Sequence, residues 1–305
     1  MKITVECPNV VFREGPEAVS KLARSLEEIG YDQIDMFDHV VMAHEKEGRT
    51  VRYGSKMPVL EALTTLGFLA AATERIGLGT EVLVVPQRQA LLVAKQISTL
   101  DTLSGGRIRL GVGVGWQDSE YEALGNDFKT RGRALDEAIE LFRHSWADDP
   151  VDFKGDFNRI EAMAMELKPP QGRDLPIWVG GGSPAALRRT GKLGDGWLAM
   201  GLTPDQAAEG MATIRKIAEE AGRDPDRLGF QSAIAMPPRP GSDADKSFYA
   251  EPDRVADAAA ALQEVGVGWT AVNGTGIFLA GARSVDAMVE AFGELHGAIR
   301  KKVGS

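Results

Sequence analysis

Pro176-Ile177-Trp178-Val179-Gly180-Gly181-Gly182-Ser183-Pro184, running on to Leu193, contains a complete folding unit. Residues 176–179 are a short apolar run of the length of a buried strand. Three glycines then let the backbone turn sharply. Ser183-Pro184 is a helix start, with serine suited to the N-cap and proline to the first helical position. A strand that hands over to a helix in this way is returned to pair in parallel with the next strand.

The same order recurs along the whole chain. Upstream, strand-like runs lie at Ile3–Cys7, Ile34–Phe37, Ile76–Val85 and Ile108–Val114. Each is followed by a helical pattern: Pro16 to Gly30, with Val19, Leu22, Leu26 and Ile29 on one face; Pro58 to Arg75; Ala90 to Leu103; and Arg131 to Trp146. Downstream, strands at Trp197–Met200, Leu228–Met236 and Val267–Val272 precede helices at Pro204–Ala221, Asp253–Val265 and Ser284–Lys301. Eight such units predict an α/β fold, a closed (β/α)8 TIM barrel. The chain has 305 residues, whereas a typical barrel needs roughly 250. Two irregular stretches near 40–57 and 148–172 read as loop insertions that take up the excess. The expectation is therefore a single domain over 1–305. Gly115–Thr130 reads as a loop, and so does Pro237–Gly241.

Composition narrows the function. Lys plus Arg is 35 against 44 Asp plus Glu, a net charge of -9. Such a surface does not attract nucleic acid broadly. No apolar stretch approaches the ~18–20 residues of a membrane span, and the N-terminal run is interrupted by charge, unlike a signal peptide. The reading is a cytoplasmic protein, with neither nucleic acid nor membrane as partner. The single cysteine, Cys7, excludes a disulfide within the chain and reads as a buried small apolar residue.

A barrel puts its chemistry where strands end. That singles out Asp38-His39, Thr80 to Val82, Gly113 to Trp116, Gly180 to Ser183, and Asn273. Gly181-Gly182-Ser183 fits either a phosphate held by a helix N-terminus or a tight turn with a serine cap. It is not a Walker loop. Gly111-Val112-Gly113-Val114-Gly115 either leaves room for a flat ring or relieves crowding inside the barrel. An imidazole at a strand end, as in His39, can exchange protons near neutral pH or can be purely structural. The four histidines show no metal-site spacing, and no Gly-x-Ser-x-Gly elbow marks a hydrolase. Asp136, Glu137 and Glu140, with Arg133 and Arg143, read as a solvated helix face held by i,i+3 and i,i+4 pairs.

Four segments carry a family resemblance: Gly30-Tyr31-Asp32-Gln33-Ile34 running to Asp38-His39; Arg75-Ile76-Gly77-Leu78-Gly79-Thr80 to Pro86 with Leu91 to Gln96; Leu103 to Arg107 through Gly111–Trp116 to Leu124-Gly125; and Pro176 to Gly181 through Leu193 to Trp197. Together they resemble the bacterial luciferase-like monooxygenase superfamily, most closely its branch of F420-dependent oxidoreductases, over essentially the whole chain. The resemblance implies a barrel that binds coenzyme F420, or alternatively FMN, at its strand ends. It implies a catalytic role for His39 beside the ring. Asp38, Thr80, Gly113 and Trp116 would surround the ring, and a non-proline cis peptide at Glu81-Val82 would back it. Gly181, Gly182 and Ser183 would hold the cofactor phosphate.

One position departs from the pattern. F420-dependent sugar-phosphate dehydrogenases carry a proton-transferring glutamate where this chain has Trp116, which implies a more apolar pocket. Glu120, read as a loop residue, is not expected to replace it. The implied activity is hydride transfer between F420 and a small organic substrate. The alternatives are an FMN-dependent monooxygenase or a flavin-binding barrel without turnover. The family expectation for assembly is a homodimer.

Overall fold

The computed structural model of the chain describes residues 1–47, 51–147, 149–236 and 245–304. Eight strands line its centre: β1 (Lys2–Glu6), β2 (Gln33–Met36), β3 (Gly77–Thr80), β4 (Ile108–Gly113), β5 (Ile177–Gly180), β6 (Gly196–Ala199), β7 (Gly229–Ala233) and β8 (Trp269–Asn273). Each pairs in parallel with the next, and β8 returns to β1 with Trp269 opposite Lys2 and Asn273 opposite Glu6. The sheet is thus a closed (β/α)8 barrel. Around it run α1 (Pro16–Ile29), α2 (Ala62–Ala72), α3 (Ala90–Ser104), α4 (Asp118–Ala123), α5 (Arg131–Ser145), α6 (Pro184–Leu193), α7 (Pro204–Glu220), α8 (Pro252–Glu264), α9 (Gly274–Leu279) and α10 (Val285–Val303).

Parallel barrel strands are usually apolar on both faces. Here the two-residue period of a strand divides two chemistries. Ile3, Val5, Ile34, Met36, Leu110 and Val112 pack outward with the helices. Thr4, Glu6, Gln33, Asp35, Arg109 and Gln231 are buried too, but they are polar and alternate with that outward set. They meet across the barrel, Arg109 reaching both Asp35 at 2.5 Å and Gln231 at 2.9 Å. Trp178 and Trp269 stand over the Arg109 guanidinium, 4.4 and 4.7 Å from their ring centres.

The structure corrects several expectations. The Gly115–Thr130 stretch is not all loop, because it contains α4. The helix expected from Pro58 begins at Ala62, where the Glu61 carboxylate accepts from the Thr64 N–H at 2.7 Å. The second insertion contains an antiparallel hairpin, Val151–Lys154 with Arg159–Met163. The charged residues of α5 bind other elements, not one another. Asp136 pairs with Arg189 and Arg143 with Asp195. Glu137 accepts from the backbone N–H groups of Asp156, Phe157 and Asn158. The predicted Pro237–Gly241 loop lies outside the described residues. Among the described residues no helix is long and apolar enough to cross a membrane, and no group of His, Cys, Asp and Glu could hold a metal ion. Burial pushes the Cys7 thiol up to about 12.

Candidate active site

The carboxyl end of β2 delivers His39 to the barrel mouth. Its Nδ1 lies 3.0 Å from the Glu120 carboxylate. The other oxygen of Glu120 accepts from the N–H groups of Val40 at 2.6 Å and Val41 at 3.1 Å. One turn away, the Gln117 amide donates to the Val41 carbonyl at 2.8 Å and accepts from the Ala43 N–H at 3.3 Å. Gln117 and α4 thus clasp the backbone that follows His39. Glu120 was expected on a loop without a role; it sits on α4, buried and bonded to the candidate catalytic histidine. Burial pushes its carboxyl up, but the His39 contact and the two backbone donors outweigh this and hold it below the usual range. A carboxylate only accepts. The hydrogen of a neutral His39 ring is therefore assigned to Nδ1, which leaves Nε2 as the basic nitrogen.

Aromatic rings form one wall beside it. The Trp116 ring stands 5.5 Å from that of His39 and 5.8 Å from that of Tyr53, both edge-on. The Arg52 guanidinium lies 5.0 Å over Trp116. The departure from the sugar-phosphate pattern is therefore a ring packed directly against His39.

Asp38 and Thr80 hold the frame. Both Asp38 oxygens are engaged, with Arg88 at 2.8 and 2.9 Å and with the Val84 N–H at 2.9 Å. The Thr80 hydroxyl donates to the Gly111 carbonyl at 2.6 Å and accepts from the Gly111 N–H at 3.1 Å. The Glu81-Val82 peptide is cis, as the resemblance implies. Gly79 pairs with Arg109 and Leu83 with Val112, so the segment after β3 carries one extra residue there, a bulge that re-aims its side chains.

The glycines of β4 answer that segment. A Cβ on Gly111 would lie 1.8 Å from the Thr80 carbonyl oxygen, one on Gly113 2.4 Å from Val82, and one on Gly115 2.8 Å from Val84. The room read as space for a ring is occupied by residues 80, 82 and 84. Relief of crowding is what these glycines provide, and Val82 is the side chain that Gly113 admits to the mouth.

Below the mouth lie two further carboxyls. Glu81 accepts from the Gln231 amide at 2.7 Å, and Glu6 accepts from the Asn273 amide. The second oxygen of each, Oε1, is buried without a partner among the described residues. Burial pushes Glu6 up to about 7, with the Asn273 bond opposing and Asp35 adding to the rise. Burial raises Glu81 well above the usual range, and repulsion from Glu6 and Asp35 adds to it. Glu6 was not singled out from the sequence. The signal was the alternation in Lys2-Ile3-Thr4-Val5-Glu6, whose polar positions face one way.

On the far side, β5 ends in the glycine turn. Gly181 has a φ of +110°, and a Cβ on Gly182 would meet nothing within 4 Å. Ser183 accepts from the Ala186 N–H at 3.2 Å and so caps α6. Its own hydroxyl hydrogen stays free to donate, and residues 181–185 are exposed. A cavity of about 660 Å³ lined by Arg143, Pro176, Asp195 and Arg223 lies at the opposite, amino-terminal end of the strands. Its Arg143 and Arg223 both pair with Asp195.

A closed barrel with an oriented imidazole at its strand ends does not by itself fix an activity. Residues 4–246 match the luciferase-like monooxygenase family, and the chain belongs to it. It is 34% identical over 209 residues to an uncharacterised protein of Mycobacterium tuberculosis, spanning 66% of this chain and 72% of that one. It is 29% identical over 222 residues to an F420-dependent glucose-6-phosphate dehydrogenase of Amycolatopsis mediterranei, covering 70% and 63% of the two chains. Its fold is similar to that of the coenzyme F420-dependent tetrahydromethanopterin reductase from Methanopyrus kandleri, with a TM-score of 0.73, 19% identity and 98% of each chain covered.

Proposed function

We propose that this protein is an oxidoreductase that transfers a hydride between bound coenzyme F420 and a small organic substrate. The observation that carries this reading is the His39–Glu120 pair at the carboxyl end of β2. When a carbon bearing a hydroxyl loses a hydride, the hydroxyl proton must also leave, and an oriented imidazole suits that transfer at neutral pH. F420 supplies a two-electron hydride carrier when bound. His39 Nε2 takes the proton in oxidation and returns it in reduction. Glu120 stabilises the cationic ring and holds it in place.

The residues present fit such a cofactor. The ring would lie among His39, Trp116 and the Glu81-Val82 segment. The phosphate would sit over Gly181 and Gly182, where the Ser183 hydroxyl and the positive end of α6 favour an anion. The Trp116–Tyr53 wall favours an apolar substrate over a sugar phosphate. The name of the curated relative at 29% identity favours F420 over FMN.

The reading is tested by offering F420 with a panel of small alcohols, and its reduced form with the corresponding carbonyls, while following the cofactor absorbance. The expected result is turnover by the wild type, lowered about 10²–10⁴-fold in His39→Ala with little loss of melting temperature. Turnover with FMN and oxygen alone would favour the monooxygenase reading. Tight binding without turnover would favour the non-catalytic barrel.

A further inference from the structure

The inner face of the barrel is layered by the strand period. Thr4, Asp35, Arg109 and Gln231 form a middle layer. Glu6, at the end of β1, and Glu81, just beyond β3, lie above it at the carboxyl ends that open to the candidate site. The ionisable groups that face this pair are Asp35 from β2, Arg109 from β4 and Tyr249 from the turn Phe248–Ala250. Arg109 is the only cation among them; it donates to Asp35 and Gln231, stacks on Trp178 and Trp269, and reaches Glu81 by charge without a hydrogen bond. One positive charge thus meets three carboxyls, and the hydrogen bonds to the pair beyond Asp35 come from amides. Two buried carboxylates without a cation bonded to either are strongly disfavoured, and the usual escape is to keep a proton.

The amides also determine where protons reside. The Asn273 and Gln231 amide groups donate to Oε2 of Glu6 and of Glu81. Each Oε2 is therefore the acceptor, and a proton goes on Oε1. Both Oε1 atoms are buried and, among the described residues, without a partner, in residues only 6% and 4% exposed. A buried O–H with no protein acceptor is completed by an ordered water or by a ligand.

We propose that Glu6 and Glu81 form a protonated floor to the active site, offering an uncharged carboxylic acid donor to an acceptor atom of the ring or substrate that covers them. The charge-neutral floor accepts a polar heterocycle without placing an anion beneath it. The carboxyls move no proton to substrate; they bind and orient. The ligand half of the inference rests on the function proposed above.

The first arm of the test needs no ligand. Infrared difference spectra of the ligand-free protein at neutral pH should contain a protonated-carboxyl carbonyl stretch that Glu81→Gln or Glu6→Gln diminishes. Absence of that band, or a band unchanged in both variants, overturns the proposal. The second arm measures F420 affinity by fluorescence between about pH 6 and about pH 9 for the wild type and Glu81→Gln, whose amide remains an uncharged donor. The ratio of the two affinities removes any titration of the ligand itself. The wild type should lose about tenfold relative to the variant as the floor ionises at high pH, whereas a constant ratio overturns the ligand half. If F420 does not bind at all, the functional reading fails while the infrared arm still decides the protonation of the floor.

Discussion

The two sides of the candidate site are built in opposite ways. Around His39 the polar side chains of the frame are engaged: Glu120 with three donors, Asp38 with Arg88 and Val84, Gln117 with the backbone of Val41 and Ala43. Around Gly182 the turn is exposed: Gly181 is tied to Leu198 and Trp197 through its backbone, but a Cβ on Gly182 would meet nothing within 4 Å. The first arrangement fixes an imidazole to one tautomer and orientation, as proton transfer requires. The second leaves backbone groups and a helix end open to an anion from outside, at little cost in stability. Changes on the His39 side should therefore disturb folding or chemistry, and changes on the glycine side should disturb affinity alone.

The largest effect on stability is expected from Arg88→Ala. It leaves the buried Asp38 carboxylate without its cation, so unfolding in denaturant should show a loss of about 3–5 kcal/mol. A loss below about 1 kcal/mol would mean that the ion pair does not hold this corner, and the contrast would fail.

Glu6→Gln should act next, and in a pH-dependent way. The folded-state value of Glu6 is raised to about 7 from an ordinary 4.5. The folded protein thus retains a proton that the unfolded chain loses, and stability falls as pH rises through that window. The variant should melt higher than the wild type at pH values above the window and near the wild type below it. Equal melting shifts at both ends would assign the effect to packing.

The smallest effect on the fold belongs to Gly182→Leu. Open space at its Cβ position means that stability should change by no more than about 0.5 kcal/mol. F420 affinity should fall by about tenfold, or ~1.4 kcal/mol, because the side chain occupies the approach to the α6 N-terminus. An unchanged affinity would move the phosphate elsewhere and remove one side of the comparison.

The sequence makes the barrel legible because each strand–helix handover carries its own punctuation, such as Ser183-Pro184 before α6 or Gly105 after α3. The features it hides are short or long-range. Helices α4 and α9, six residues each, span too few turns to show a helical period. The strands of the 151–163 hairpin are largely exposed, so no buried alternation marks them. His39 is readable from its place at a strand end. Its partner Glu120 is 81 residues away, and no local pattern connects them. The glycines at 111, 113 and 115 are legible and relief of crowding is one of their two readings, but the choice between the readings is not: each faces a particular residue of the segment after β3, and only the pairing of the two strands reveals it.

Titration of the purified wild-type protein separately with F420 and with FMN, followed by fluorescence, asks whether this barrel holds a hydride-carrying ring. Saturable F420 binding at micromolar concentration or tighter is expected, with FMN weaker. Binding of neither cofactor, in a protein shown to be folded, would contradict it.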